Sequence, residues 1–183
     1  MKNSITSQRA YAKGFTLIEV LVTISIMVVL LGLSFGIGKW ALENAQVQKA
    51  VVQVKLMERA IEEYKLDNGE FPPGDGSVRS TSSLYDALYE RGVLNSGKVY
   101  MPEFDPDGSD QFREITEEGV VFDPFKKNKK PYFYLRGVDE NGERVGSAYN
   151  PDFDLWSVGL NGRGRGSDEA SEDDTEDDIT NWD

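Results

Sequence analysis

Between Phe15 and Gly38 the chain reads FTLIEVLVTISIMVVLLGLSFGIG, an apolar run whose only charge is Glu19. At a rise of 1.5 Å per residue such a run makes a helix of about 36 Å, longer than a hydrocarbon core of about 30 Å, and so predicts a membrane span. Beyond it the pattern changes. Val47, Val51, Val54, Met57, Ile61 and Tyr64 recur at steps of three and four, while Glu43, Gln48, Lys55, Glu58, Arg59, Glu62 and Lys65 fill the remaining positions. That spacing predicts an amphipathic continuation of the same helix, from near Thr16 to about Leu66. Asp67-Asn68-Gly69 offers a left-handed cap, and Pro72-Pro73 prevents the helix from resuming. A second helix is expected from Ser83 to about Gly92, capped by Ser82 or Ser83, with Leu84, Ala87 and Leu88 on its buried side.

After Gly92 the runs become short and extended. Val120–Phe122, Pro131–Leu135 and Phe153–Val158 are rich in β-branched and aromatic residues and are separated by turn formers such as Asp139-Glu140-Asn141-Gly142. A small antiparallel sheet is expected to pack one face on the stripe of the long helix, which makes the fold class α+β. The segment from Ser96 to Gln111 shows no assignable period, and no internal repeat is present.

Composition narrows the chemistry. The 183-residue chain has no cysteine and no histidine, so it offers no Cys or His zinc site, no Ser-His-Asp triad and no thiol nucleophile. Its 20 basic and 32 acidic residues leave a net charge of −12, which disfavours a nucleic-acid partner and suits a hard, oxygen-seeking cation. The charge is unevenly spread: Lys2, Arg9 and Lys13 precede the apolar run with no acid among them, and nine acids fall between Ser167 and Asp183 with no Lys or Arg. The basic head places the N-terminus in the cytoplasm and the acidic remainder outside. A cleavable secretory signal shares the basic head and apolar core, but this run exceeds about 15 residues and no A-x-A-like site follows it before Lys39. Glu19, about one turn inside an apolar helix, needs either headgroup water or a cationic partner on a neighbouring subunit.

The segment Lys13-Gly14-Phe15-Thr16-Leu17-Ile18-Glu19-Val20 resembles the class III signal of type IV pilins and pseudopilins. The resemblance implies that a prepilin peptidase cuts after Gly14 and methylates the amino group of Phe15. It implies too that Glu19, fifth in the mature chain, pairs with the amino terminus of a neighbour. Residues 1–14 would then be a leader, 15–40 a transmembrane and filament-core helix, and 41–183 a periplasmic domain. Glu63 to Pro72, Asp123-Pro124-Phe125, Pro131 to Tyr134, Asp154 to Gly159 and Asp178 to Trp182 are similar, in that order, to the major pseudopilin of type II secretion systems. The likeness thins between about Gly74 and Gly119. It implies a homopolymeric periplasmic filament built with minor pseudopilins on an inner-membrane assembly platform and driving protein export. A minor type IV pilin or competence pilin is the alternative, and a membrane-tethered enzyme a third, although no catalytic set stands out.

The loop from Gly159 to Ala170 alternates glycine with oxygen-bearing residues, which suits the six to eight ligands of Ca²⁺. The resemblance places a calcium loop here, with the carbonyl of Val158, the side chain of Asn161, the carboxylate of Asp168 and the carbonyl of Ala170 on ligand positions. Asn161 departs from the family's Asp and removes a negative charge. Ser171 to Asp177 lengthens the loop by roughly six residues and reads as a solvated acidic stretch, with replacement ligands as the alternative.

Overall fold

A computed structural model describes residues 14–108, 111–112, 114–127, 129–139, 141–165 and 175–182, with the side chains of 34–37 left aside. The basic head, Asp168, Ala170 and most of the acidic stretch lie outside the described residues. The chain divides into two compact units, Met1–Leu42 and Glu43–Asp183.

Helix α1 spans Leu17–Asn68, two residues further than the sequence predicts at its end. Asn68 closes it by donating its side-chain amide to the Tyr64 carbonyl at 2.8 Å, and Gly69 follows with φ +82°. In the first unit the helix is apolar on every side and, among the described residues, no side chain is covered: Leu17 is 84% exposed and Leu31 59%. Two of its hydroxyls are satisfied within the helix, Thr23 donating to the Val20 carbonyl and Ser25 to the Leu21 carbonyl, both at 2.8 Å. That bonding removes the cost of placing them in hydrocarbon.

In the second unit α1 buries one face, but the face is turned slightly from the predicted stripe. Ala50, Gln53, Val54, Met57, Ala60 and Ile61 are buried, whereas Val47, Val51 and Tyr64 are only half covered. Small residues let the layer above approach closely. Gln53 survives in the core because both ends of its amide are used: its Oε1 accepts from the Tyr132 hydroxyl at 2.7 Å and its Nε2 donates to the Gln111 carbonyl.

The second helical segment starts earlier than expected. Helix α2 (Ser80–Tyr85), a π-helical turn (Asp86–Glu90) and α3 (Arg91–Leu94) run on without a break. Neither Ser82 nor Ser83 caps it. Arg79 stands at the N-cap without a side-chain bond, and the preceding turn is closed by Ser80 donating to the Ser77 carbonyl at 2.6 Å. Leu84, Ala87 and Leu88 are buried as the pattern predicts. The aperiodic segment contributes a 3₁₀ turn, Pro102–Phe104, that inserts Met101 and Phe104 into the core.

The sheet is antiparallel with order β1-β2-β3, where β1 is Phe133–Arg136, β2 Phe153–Ser157 and β3 Ile179–Thr180. Val120–Phe122 forms only isolated bridges, Val121 to Ile115 and Phe122 to Pro131. Both faces of the sheet are covered. Tyr134, Phe153 and Leu155 join the cluster containing Met57, Ile61 and Leu84, while Phe133, Leu135 and Trp156 form a second cluster with Ala148, Val158 and Trp182. The architecture is α+β, as expected, with Val145 and Ala148 ahead of β2 and Trp182 of the C-terminal tail supplying the second cover.

Candidate functional site: the helix start and the C-terminal loop

The start of α1 is a reciprocal capping box. Glu19 Oε2 accepts from the Thr16 backbone N–H and from the Thr16 hydroxyl, both at 2.8 Å, and the Glu19 N–H donates to Thr16 Oγ1 at 3.3 Å. Two donors that the helix end leaves unpaired are thereby met, and the carboxylate lies at the positive end of the helix dipole. The Thr-x-x-Glu spacing ahead of an apolar run is a sequence signal for this box, and it explains how a carboxylate is tolerated here before any neighbour arrives. Gly14, just before this box, is exposed, and a Cβ built on it meets nothing among the described residues within 4 Å.

In the second unit the structure places Val158 and Asn161 on the loop that leaves β2, whereas Asp168 and Ala170 fall outside the described residues. What it brings to that loop is Asp177 and Asp178, from the far side of the acidic stretch. The Asn161 N–H donates to Asp177 Oδ2 at 2.8 Å, Asn161 Oδ1 accepts from the Arg163 N–H at 2.6 Å, and the Arg165 N–H reaches Asp178 Oδ2 at 3.4 Å. Gly159 has φ +65°, and a Cβ there would collide with the Asp177 carbonyl, so only glycine permits the approach. Asp177 is therefore part of the folded loop rather than of a solvated stretch, because backbone donors in a Gly-rich turn capture its carboxylate.

Two oxygens in this arrangement are orphaned. Asp177 Oδ1 and Asp178 Oδ1 are buried without a hydrogen-bond partner. Burial pushes the Asp178 carboxyl up to about 6, the Arg165 N–H opposes the rise, and the charge of Asp177 adds to it. Buried carboxylates that crowd one another without matching donors are what a bound cation would relieve. Among the described residues no group of three or more acidic side chains stands ready to hold an ion, so carbonyls, Asn161 and Asp168 would have to complete the shell. The donor set present, all oxygen, fits a hard cation.

The same loop is gripped by Arg165. Its Nη1 lies 2.5 Å from Oδ2 of the fully buried Asp154, its Nη2 donates to the Ser147 carbonyl, and its carbonyl accepts from Trp156 Nε1 at 2.8 Å. Its guanidinium stands 4.6 Å from the ring centres of Tyr149 and Trp156 and 5.3 Å from that of Trp182. Sequence reasoning passes over Arg165, Asp154 and Asp178 as ligand or clasp residues, since their partners are distant in the chain.

An uncovered apolar helix with a capped N-terminal carboxylate, leading into an α+β unit, defines the pilin-like class. The comparisons with known proteins make this specific. Residues 9–35 match the prokaryotic N-terminal methylation motif. The chain is 33% identical over 150 residues to type II secretion system core protein G of Klebsiella pneumoniae, covering 80% of this chain and 96% of that protein. It is 28% identical over 180 residues to the core protein G of Pseudomonas aeruginosa, covering 96% of this chain and 99% of the relative. The Escherichia coli core protein G is 29% identical over 170 residues, 93% of this chain and 90% of the relative. No solved structure matches the chain significantly. The chain belongs to the type II secretion system core protein G family, the pseudopilins.

Proposed function

We propose that the chain is the structural subunit of a periplasmic pseudopilus that polymerises through α1 and drives protein export by type II secretion. The observation that carries this reading is the helix of the first unit, apolar all round and uncovered, behind a methylation-type motif. Such a surface needs lipid before assembly and other helices after it. The chain is then a single-pass inner-membrane protein with its N-terminus cytoplasmic and its second unit periplasmic, and it carries no catalysis of its own. A prepilin peptidase cuts between Gly14 and Phe15. The methylation-type motif over residues 9–35 supports this, and a glycine, small and free in its backbone, suits a narrow external site. Glu19 then exchanges part of its Thr16 contacts for the amino terminus of a neighbour, and minor pseudopilins and the assembly platform receive the growing filament. Near-complete coverage of core protein G relatives favours this reading over a minor or competence pilin.

The loop after β2 takes one Ca²⁺ in this proposal. Val158, Asn161, Asp168 and Ala170 supply oxygens, and the orphaned carboxylate oxygens of Asp177 and Asp178 offset the charge missing at Asn161. The ion would supply structural cross-linking only, tying the loop to the C-terminal strand. Deleting the gene and restoring it with the full chain tests the main reading: secretion of exported proteins is expected to be lost and regained, whereas loss of motility or DNA uptake with secretion intact would overturn it. For the ion, the full chain in detergent micelles should melt higher in millimolar Ca²⁺ than in EDTA. Asp168→Ala and Asp178→Asn should each erase most of the difference, and Mg²⁺ should not substitute because it holds its waters in a tight octahedral shell.

A further inference from the structure

Arg165 is the most heavily engaged side chain of the C-terminal loop, and no oxygen ligand of the proposed ion site belongs to it. Its guanidinium is 18% exposed and faces a carboxylate that is not exposed at all. Asp154 is itself fixed in place, since its two oxygens accept from the backbone N–H groups of Tyr149 and Asn150, both at 2.8 Å. The aromatic walls are fixed as well: Tyr149 and Trp182 stack at 5.0 Å with 13° between their planes, and Trp156 meets Trp182 edge-on at 5.9 Å. One planar cation therefore joins the loop after β2, the segment before β2 and the C-terminal tail that carries Trp182. At the same residue the backbone N–H is directed at Asp178.

We propose that Arg165 is the positioning residue of the cation loop: its clasp holds Asp177 and Asp178 against Gly159–Arg165 before any ion arrives, and so sets the affinity for Ca²⁺. This inference rests on the calcium reading above. Two effects of Arg165 oppose each other. Its positive charge, near Asp178, repels a second cation, while the clasp spares the ion the entropy of ordering a Gly-rich loop and a distant strand. The charge is already paired with the buried Asp154, so its repulsion is largely cancelled and positioning dominates. Lysine could keep the charge but not the planar fork that meets Asp154, the Ser147 carbonyl and the aromatic faces together.

The experiment titrates the full chain in detergent micelles with CaCl₂ by calorimetry, comparing wild type with Arg165→Lys and Arg165→Met, and records melting in EDTA separately. The guanidinium touches none of the proposed ligands and acts by ordering the loop and tail that carry them, so its loss in Arg165→Met is expected to weaken Ca²⁺ binding by about 10-fold, with Arg165→Lys weakened less but in the same direction. A role confined to stability would lower melting in EDTA and leave the dissociation constant of the folded protein unchanged. Charge repulsion, if dominant, would give wild-type affinity in Arg165→Lys and tighter binding in Arg165→Met. Either result overturns the inference while leaving the calcium reading intact. A wild-type chain that takes up no Ca²⁺ overturns both. If Arg165→Met does not fold, the affinity of Arg165→Lys decides the matter.

Discussion

Thr16 and Glu19 close the first turn of α1 upon themselves, so the effect of replacing Glu19 has two possible sources, a lost cap or a lost charge. Glu19→Gln separates them. The amide keeps an oxygen for the Thr16 donors but cannot pair with a neighbour's amino terminus. We expect both Glu19→Ala and Glu19→Gln to be inserted and processed yet absent from sheared filaments, as read by immunoblot. Normal filaments from Glu19→Gln would reduce Glu19 to a helix cap. Asp123 carries a pH signature of its own. It is buried, its Oδ2 accepts from the Ser157 hydroxyl at 2.9 Å and its Oδ1 from the Phe125 N–H at 3.2 Å, yet burial outweighs these bonds and pushes its carboxyl up to about 6. The folded state therefore holds this proton more tightly than the unfolded chain does. Its stabilising contribution is full below about pH 4 and is lost as pH rises towards and through 6. A carboxyl moved from 3.8 to about 6 changes stability by about 3 kcal/mol across that window. Asp123→Asn should flatten the decline of unfolding free energy between pH 4 and 6 in EDTA. It should not level the curve, because Asp178 titrates in the same direction.

At the scale of elements, α1 is one helix in two environments, and substitutions along it should divide accordingly. Met57 is fully buried beside Leu84 and Tyr132, whereas Leu66 is 84% exposed. Met57→Ala should cost about 2–5 kcal/mol through the cavity it leaves, and Leu66→Ala no more than about 0.5 kcal/mol, measured by denaturation of the full chain in micelles. Equal losses at both positions would mean that Leu66 has a partner outside its own chain in that preparation. The apolar run and the cap at Asn68-Gly69 were legible because both are local signals. The rotation of the stripe was not. Ala50, Ala60 and Gln53 carry little apolar signal, yet all three are buried: Ala60 joins the cluster that holds Tyr132 and Tyr134, and Gln53 accepts from the Tyr132 hydroxyl. The start of α2 was misplaced for a related reason, since Ser80 and Thr81 are buried by partners far away. Ser80 Oγ accepts from the Tyr134 N–H at 2.9 Å, and Thr81 Oγ1 from the Val121 N–H at 3.2 Å.

At the scale of the whole molecule, a net charge of −12 accompanies an exposed apolar helix and a methylation-type motif, a combination that suits a membrane-anchored chain, and the proposed processing is checked at this scale. Mass spectrometry of membrane-extracted protein should find a chain that begins at Phe15 and bears a methyl group on its amino nitrogen. A terminus at Met1, or a cut beyond Gly38, would contradict that processing. The long apolar N-terminal helix, the α+β class and the family were legible in the sequence alone, because each rests on motifs of adjacent residues or on apolar positions repeated at a helical or strand period. The candidate ion site was legible only as a loop. Val158 and Asn161 could be named only through the family resemblance, whereas the carboxylates brought to the loop belong to Asp177 and Asp178, at the end of the acidic stretch, and the clasp on Arg165 draws on Tyr149, Asp154 and Trp182. Only the tertiary structure decided these pairings, because pairing β2 with β3 sets which distant residues face one another, and no local periodicity encodes that register.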